Sequence, residues 1–396
     1  MTAKALGFLD QELEEIRKQG FSWNPRTLQG EQGGRAVFDG HEVVNLSSNN
    51  YLGLTNHPKL RQAAKQAVDA YGAGAGAVRP IAGTMTLHRE LEERIARFKG
   101  TEAALVFQSG FAANQGTIQS LVGAEDVIFS EELNHGSIID GCRLSGAKIV
   151  KWPHRDTEAL RKICAEQRRQ FRRALLVSDA IFSMDGDIAH LKEMAEVAEE
   201  FDCIAMVDDA HASGVLGRNG RGSVDHFQLE GRIDVQMGTL SKALGTMGGY
   251  IAGSRNLIDF LIQKARPFLL STAHPPAVVA AAAAAIDLLQ TSEGEALIKR
   301  LWDNTRYFKD GLKNLGFDTG ASESPITPVI VGSSQNAKEL SQKLFVEGVF
   351  AQEIVFPMVA RDQARVRTIV SAMHTKEDLG FALNAFKKVG RELKLI

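Results

Sequence analysis

The chain has 396 residues, 44% hydrophobic and 24% charged, with a formal net charge of -2. That length supports one large core and a smaller one, and the composition is that of an ordinary globular protein. The near-neutral balance leaves no basic footprint for nucleic acid or an anionic membrane. The three cysteines, Cys142, Cys164 and Cys203, are scattered, without metal-ligand spacing or a disulfide framework, as expected of a cytoplasmic protein with no structural metal.

The N-terminus opens on a charged amphipathic helix near residues 9–16 rather than an apolar leader. Loop follows, with a turn at Gly33-Gly34-Arg35. A short strand at 42–46 then runs into Ser47-Ser48-Asn49-Asn50-Tyr51-Leu52-Gly53. Helical periodicity is clear at 60–71 and 87–98. Between them Gly72-Ala73-Gly74-Ala75-Gly76-Ala77 imitates part of a dinucleotide fingerprint. It follows a helix instead of a strand and lacks the third glycine, so it reads as a close-approach loop near the floor of a site.

Seven apolar strand-like runs come next, at 103–107, 126–129, 148–152, 174–178, 203–208, 234–240 and 249–252. Helical stretches such as 156–169 and 191–200 separate several of them. Repeated βα units with near-continuous apolar strands imply an α/β fold, a mainly parallel seven-stranded-type sheet covered on both faces. Ligands of such sheets sit beyond the strands' carboxyl ends. The Ala-rich run 275–286 is too short for a bilayer, which takes about 20 residues, and reads as a buried helix. A long helix at 297–315, strands at 325–331 and 364–371 and a closing helix at 376–393 form a smaller α+β unit. The expected division is an N-terminal helix and arm (1–50), a large domain (51–290) and a small C-terminal domain (291–396), with no linker between the last two.

The chemistry gathers at the strand ends. Val207-Asp208-Asp209-Ala210-His211 ends one strand with a carboxylate and an imidazole. Gly238-Thr239-Leu240-Ser241-Lys242 ends another with a lysine among small and hydroxylic residues. A lysine can hold an aldehyde cofactor as a Schiff base, an Asp can keep a pyridine nitrogen protonated, and hydroxyls can hold a phosphate. Those parts together describe a pyridoxal 5'-phosphate (PLP) site. Ser109-Gly110-Phe111 opens a helix after a strand, and reads either as an ordinary turn or as an anion site made of backbone amides. His135 reads either as a surface loop residue or as a cover for a planar ring. Ser183 is either a turn hydroxyl or a donor to the cofactor. Arg365 and Arg367 alternate onto one strand face, as a solvated pair or as a bidentate partner for a substrate carboxylate.

These segments resemble the α-oxoamine synthase family of fold-type I PLP enzymes. The resemblance rests on Ser48-Asn49-Asn50-Tyr51-Leu52-Gly53-Leu54, Ser109-Gly110-Phe111-Ala112-Ala113-Asn114, Leu133-Asn134-His135, Phe182-Ser183-Met184-Asp185-Gly186, Asp208-Asp209-Ala210-His211 and Thr239-Leu240-Ser241-Lys242-Ala243, and spans nearly the whole chain. It implies that Lys242 carries PLP, Asp208 contacts the pyridine nitrogen and His135 stacks on the ring. Ser183 and His211 would hold the phenolic oxygen. Gly110, Phe111, Thr239 and Ser241 would surround the phosphate, joined by Ser271 and Thr272 from the second subunit of a homodimer with shared sites. Asn49 and Arg367 would bind the amino-acid carboxylate.

Residues 76–84, with His88 after them, and 371–375 are most similar to the glycine C-acetyltransferase (2-amino-3-ketobutyrate CoA ligase) branch. The expected reaction is therefore condensation of glycine with acetyl-CoA. The alternative is the 8-amino-7-oxononanoate synthase branch, which joins alanine to a pimeloyl donor, or another α-oxoamine synthase. A non-catalytic family subunit is the remote alternative, and the presence of Lys242 argues against it.

Overall fold

The computed structural model describes residues 4–18 and 24–396. Its centre is a seven-stranded sheet of β1 (Ala103–Phe107), β2 (Val127–Glu131), β3 (Lys148–Trp152), β4 (Ala174–Asp179), β5 (Ile204–Asp208), β6 (Val235–Thr239) and β7 (Gly249–Gly253). The spatial order is β1-β7-β6-β5-β4-β2-β3, parallel except for β7, which runs antiparallel to both neighbours. Every strand but β3 is buried along almost its whole length.

Period-2 alternation divides each strand between two cores. Ala104 and Val106 of β1, with Ala174 and Leu176 of β4, face one apolar cluster. Ala103, Leu105 and Phe107, with Leu175 and Val177, face the other. Helices cover both faces, which is why these strands read as continuous apolar runs rather than alternating ones. The Ala-rich run is the buried helix Pro276–Leu289. No helix among the described residues is long and apolar enough to cross a membrane.

The C-terminal unit is an antiparallel sheet of β8 (Ile326–Gly332), β9 (Gln352–Ile354) and β10 (Ala364–Ile369), in the order β8-β10-β9. The long helix starts earlier than its apolar periodicity, at Ser292–Asn314, because the Thr291 hydroxyl accepts from the amide of Gly294 and caps it. The arm before residue 50 is built into this unit. Arg35–Phe38 and His41–Asn45 form a hairpin, and the second strand pairs in parallel with Val349–Phe350. Past the hairpin, Ile369 donates its amide to the carbonyl of Leu46 and Ala372 donates to that of Tyr51. The segment carrying Asn49 and Tyr51 is thereby fixed alongside β10 and Arg367.

Candidate active site

β4, β5 and β6 are neighbours, and their carboxyl ends deliver Asp179, Asp208 and Thr239 side by side; Asp179 and Asp208 are register partners. The loop after β2 adds His135, the turn after β1 adds Ser109, Gly110 and Phe111, and the loop after β6 adds Ser241 and Lys242. Together with Ser183, His211 and Ser137 these residues line one cavity of about 200 Å³. Strand-end geometry alone thus gathers Gly110, Phe111, His135, Ser183, Asp208, His211, Thr239, Ser241 and Lys242 from positions spread over more than a hundred residues.

The cavity has two chemical ends. At one, the helix Gly110–Leu121 begins, capped by Ser109, whose hydroxyl accepts from the amide of Ala112 at 3.0 Å. The amides of Gly110 and Phe111 lie ahead of that bond, at the positive end of the helix. Beside them Thr239 Oγ1 and Ser241 Oγ are 2.8 Å apart. A side chain at position 110 would meet Met237 Cε at 2.8 Å and Thr239 at 3.4 Å, so the backbone here packs closely on the end of β6. Hydroxyls and leading amides suit a phosphate.

The other end is acidic. Asp208 accepts from the Asn114 side-chain amide at 2.7 Å through one oxygen and from the amide of Ala210 at 2.8 Å through the other. Asn114 also donates to Ser137 Oγ at 2.9 Å, which ties the site's first helix to the loop of His135. Asp179 accepts from the backbone amide of His135 at 2.7 Å. Burial, and then the adjacent Asp208, push the Asp179 carboxyl well above the usual carboxylate range. A carboxylate at one end and an anion cradle at the other match the two poles of PLP.

Lys242 lies between the two ends. Its Nζ is 2.8 Å from His211 Nε2, and His211 Nδ1 is 2.7 Å from the hydroxyl of Tyr51. Burial lowers the Lys242 ammonium to about 8, helped by Arg367 and opposed by Asp208 and Asp179. Burial, with the positive charge of Lys242 and Arg367, holds His211 well below the usual imidazole value, and burial lowers His135 as well. The lysine is thus poised to shed its proton near neutrality.

The remaining expected residues fall outside the lining. Arg367 reaches the turn after β4, donating to the carbonyl of Ser183 at 3.1 Å. Arg365, on the same strand face, is buried and pairs with Asp185 in that turn, so it is a clasp rather than a solvated partner. Asn49 buries an Oδ1 with no hydrogen-bond partner. Ser271 and Thr272 do not reach the cavity of their own chain. Gln108 Nε2 holds their carbonyls at 3.4 and 2.9 Å, and Thr272 bridges to Val78. The loop 72–77 is not in the lining either.

Sequence reasoning gave no role to Tyr51, Asn114, Ser137 or Asp179. Asn114 had a signal, since it lies one helical turn beyond Gly110 and so on the same face. Asp179 had another, as the last residue of a buried strand.

The model of the family "Aminotransferase class I and II" matches residues 41–386. An 8-amino-7-oxononanoate synthase of Thermoanaerobacter pseudethanolicus is 58% identical over 391 residues, covering 99% of this chain and 98% of that protein. The 8-amino-7-oxononanoate synthase 1 of Bacillus subtilis (strain 168) is 51% identical, covering 99% of this chain and all of that one. Among solved structures, a Sphingomonas wittichii serine palmitoyltransferase superposes with a TM-score of 0.93 at 31% identity, over the full length of both chains. An SPT solved with PLP reaches 0.94 at 31% identity, again over both full chains.

The names of the curated relatives coincide with the alternative branch, not with the glycine C-acetyltransferase branch that residues 76–84 suggested. The structure supplies a reason why that stretch misled. Arg79 is buried against Glu92 at 2.9 Å, and a side chain at Gly83 would strike the carbonyl of Ala77 at 2.1 Å, so packing constrains the segment away from the cavity.

Proposed function

We propose a function from one premise: the chain belongs to the class I and II aminotransferase family and, within it, to the PLP-dependent α-oxoamine synthases. Our reading is that it joins alanine to a pimeloyl thioester, forming 8-amino-7-oxononanoate with release of CO2 and the thiol. The observation that carries this reading is identity of 50–58% to enzymes of that name along 98–99% of the chain.

PLP, when bound, supplies an electron sink for the bond-making α-carbon of the amino acid. We assign its anchoring to Lys242, its pyridine nitrogen to Asp208 and its ring face to His135. Its phenolic oxygen goes to Ser183 and His211, and its phosphate to Gly110, Phe111, Thr239 and Ser241. Asn49, with its unpartnered buried oxygen, and Arg367 are assigned to the amino-acid substrate, the guanidinium to its carboxylate. Lys242, with its proton affinity brought down to about 8, takes the α-proton as general base. Asp208 would hold a proton on the pyridine nitrogen. His211, neutral and buried, orients the amine of Lys242 without competing for the proton.

We assign the working form to a homodimer, in which Ser271 and Thr272 of the partner subunit complete the phosphate site. Leu270 is 66% exposed and Ile81 is 83% exposed, next to a Thr272 whose backbone is already pinned, and a second copy of the chain would cover both.

The deciding experiment pairs purified enzyme with a panel of acyl-CoA thioesters against glycine, alanine and serine. Greatest kcat/KM for alanine with pimeloyl-CoA, with CO2 released, is the expected result. A preference for glycine with acetyl-CoA would overturn the reading and restore the acetyltransferase one.

A further inference from the structure

Tyr51 is 1% exposed, and its phenol is held protonated by burial. Its ring packs edge-on to His211, and its hydroxyl bonds to Nδ1 at 2.7 Å. His211 Nε2 in turn meets Lys242 Nζ at 2.8 Å. The backbone of Tyr51 is fixed at both ends, its amide by the carbonyl of Asn49 and its carbonyl by the amide of Ala372. The hydroxyl therefore has a set position relative to the imidazole.

A neutral imidazole has one donor nitrogen and one acceptor nitrogen. Two arrangements of the chain follow. If Lys242 is an ammonium, it donates to Nε2, the ring proton sits on Nδ1, and Nδ1 donates to the Tyr51 oxygen. The phenol's own proton then has no acceptor within this chain of contacts. If Lys242 is a neutral amine, it accepts from the Nε2 proton, and Nδ1 accepts from the phenol. Both imidazole nitrogens and the phenol proton are then paired. A buried donor left unpaired is costly, so the phenol favours the second arrangement over the first.

We propose that Tyr51 is a positioning residue which, through the tautomer of His211, favours the uncharged amine of Lys242, the form that bonds an aldehyde or accepts a proton. The other charged or titratable groups facing this pair are Asp179 and Asp208 from the strand ends, His135 from the loop after β2, and Arg367 from β10. The two carboxylates favour the ammonium and the arginine opposes it, so the phenol tips a balance that is already close.

The proposal rests on the reading of Lys242 as the PLP anchor, and its test uses no substrate. Apoenzyme is mixed with PLP across a pH series, and the rate of attachment at Lys242 is followed by the visible band and, after borohydride reduction, by peptide mass. Attachment needs the neutral amine, so the acid limb of the profile reports the proton affinity of Lys242. In Tyr51→Phe that limb is expected to move up by about one pH unit, which is about tenfold slower attachment at a fixed pH below it. A folded Tyr51→Phe protein with an unmoved limb would overturn the role of Tyr51 alone. Wild-type protein that attaches no PLP at Lys242 would overturn the anchor reading as well. A wrong choice of acyl donor or amino acid would affect neither result. Should Tyr51→Phe fail to fold, the wild-type apoenzyme still decides. ¹⁵N spectra above the limb are expected to show His211 protonated on Nε2, and a proton on Nδ1 there refutes the relay.

Discussion

His154→Gln should cost stability in a pH-dependent way. His154 lies between two buried carboxylates, with Nδ1 2.7 Å from Glu131 and Nε2 2.7 Å from Asp187. Burial works against its charge, but the hydrogen bonds and charges of Asp187 and Glu131 win and push the imidazole up to about 9. The side chain is a quarter exposed, so solvent screens the pair only in part. A rise from the usual imidazole value of 6.5 to about 9 corresponds to about 3 kcal/mol of folding stability. Because the folded-state value is the raised one, that stability is complete below pH 6.5 and disappears as pH climbs through about 9. Urea unfolding of wild type and His154→Gln at pH 6 and pH 10 measures it. The gap should be about 3 kcal/mol at pH 6 and should shrink markedly at pH 10. A gap independent of pH would mean that His154 acts by packing against Phe182, whose ring centroid is 4.5 Å away, and not by charge. The consequence reaches the site. Glu131 leads into the loop of His135, and Asp187 closes the turn of Ser183 by accepting the amide of Phe182 on its carbonyl.

Lys242→Ala should fold normally, lose covalent PLP and show no turnover; product formation at a comparable rate would remove Lys242 from the mechanism. Asp208→Ala should retain much of its cofactor while kcat falls tenfold to a hundredfold, since a charge-assisted bond contributes about 1.5–3 kcal/mol; cofactor absorbance and steady-state rates separate the two effects. Arg367→Lys keeps a charge but loses the planar fork, so KM for the amino acid should rise clearly, and an unchanged KM would leave Arg367 as a clasp on the carbonyl of Ser183. Lys242→Ala protein mixed with a Ser271→Ala/Thr272→Ala double variant should, after subunit exchange, recover one intact site in each mixed dimer. Absence of recovery together with a monomeric sedimentation profile would sink the shared site.

The parts of this molecule that were legible in its sequence share a physical cause. Strands buried on both faces must be apolar throughout, so the large-sheet strands other than the edge strand β3 stood out for that reason, and their ends located Asp208, His211 and Lys242. Contacts between segments distant in sequence left no such mark. Tyr51 and His211 are 160 residues apart, and neither neighbourhood announces the other. The sequence around Asp209 assigned it no role. It is instead the buried partner of Lys99, at 2.7 Å and 110 residues away, and it also accepts from the amide and hydroxyl of Ser223. The helix Ser334–Val346 escaped notice because its inward face mixes Ser341 with Ala337, Leu340 and Leu344, which weakens the apolar period.

The turn from Ile181 to Asp187 ties the two domains together beside the cavity. Its Gly186 has φ 75, and a side chain there would lie 2.2 Å from the carbonyl of Ile326 in β8, so only glycine permits this approach. Glu323 donates its amide to the Gly186 carbonyl and accepts from the amide of Ile188. Arg365 and Arg367 grip the same turn from β10. The small domain is therefore attached through the loop that carries Ser183 into the cavity. Any shift of the small domain that moves Arg367 must also move the Ser183 carbonyl it holds. On the proposed assignment of Arg367 to the substrate carboxylate, that coupling would transmit its engagement to the cavity.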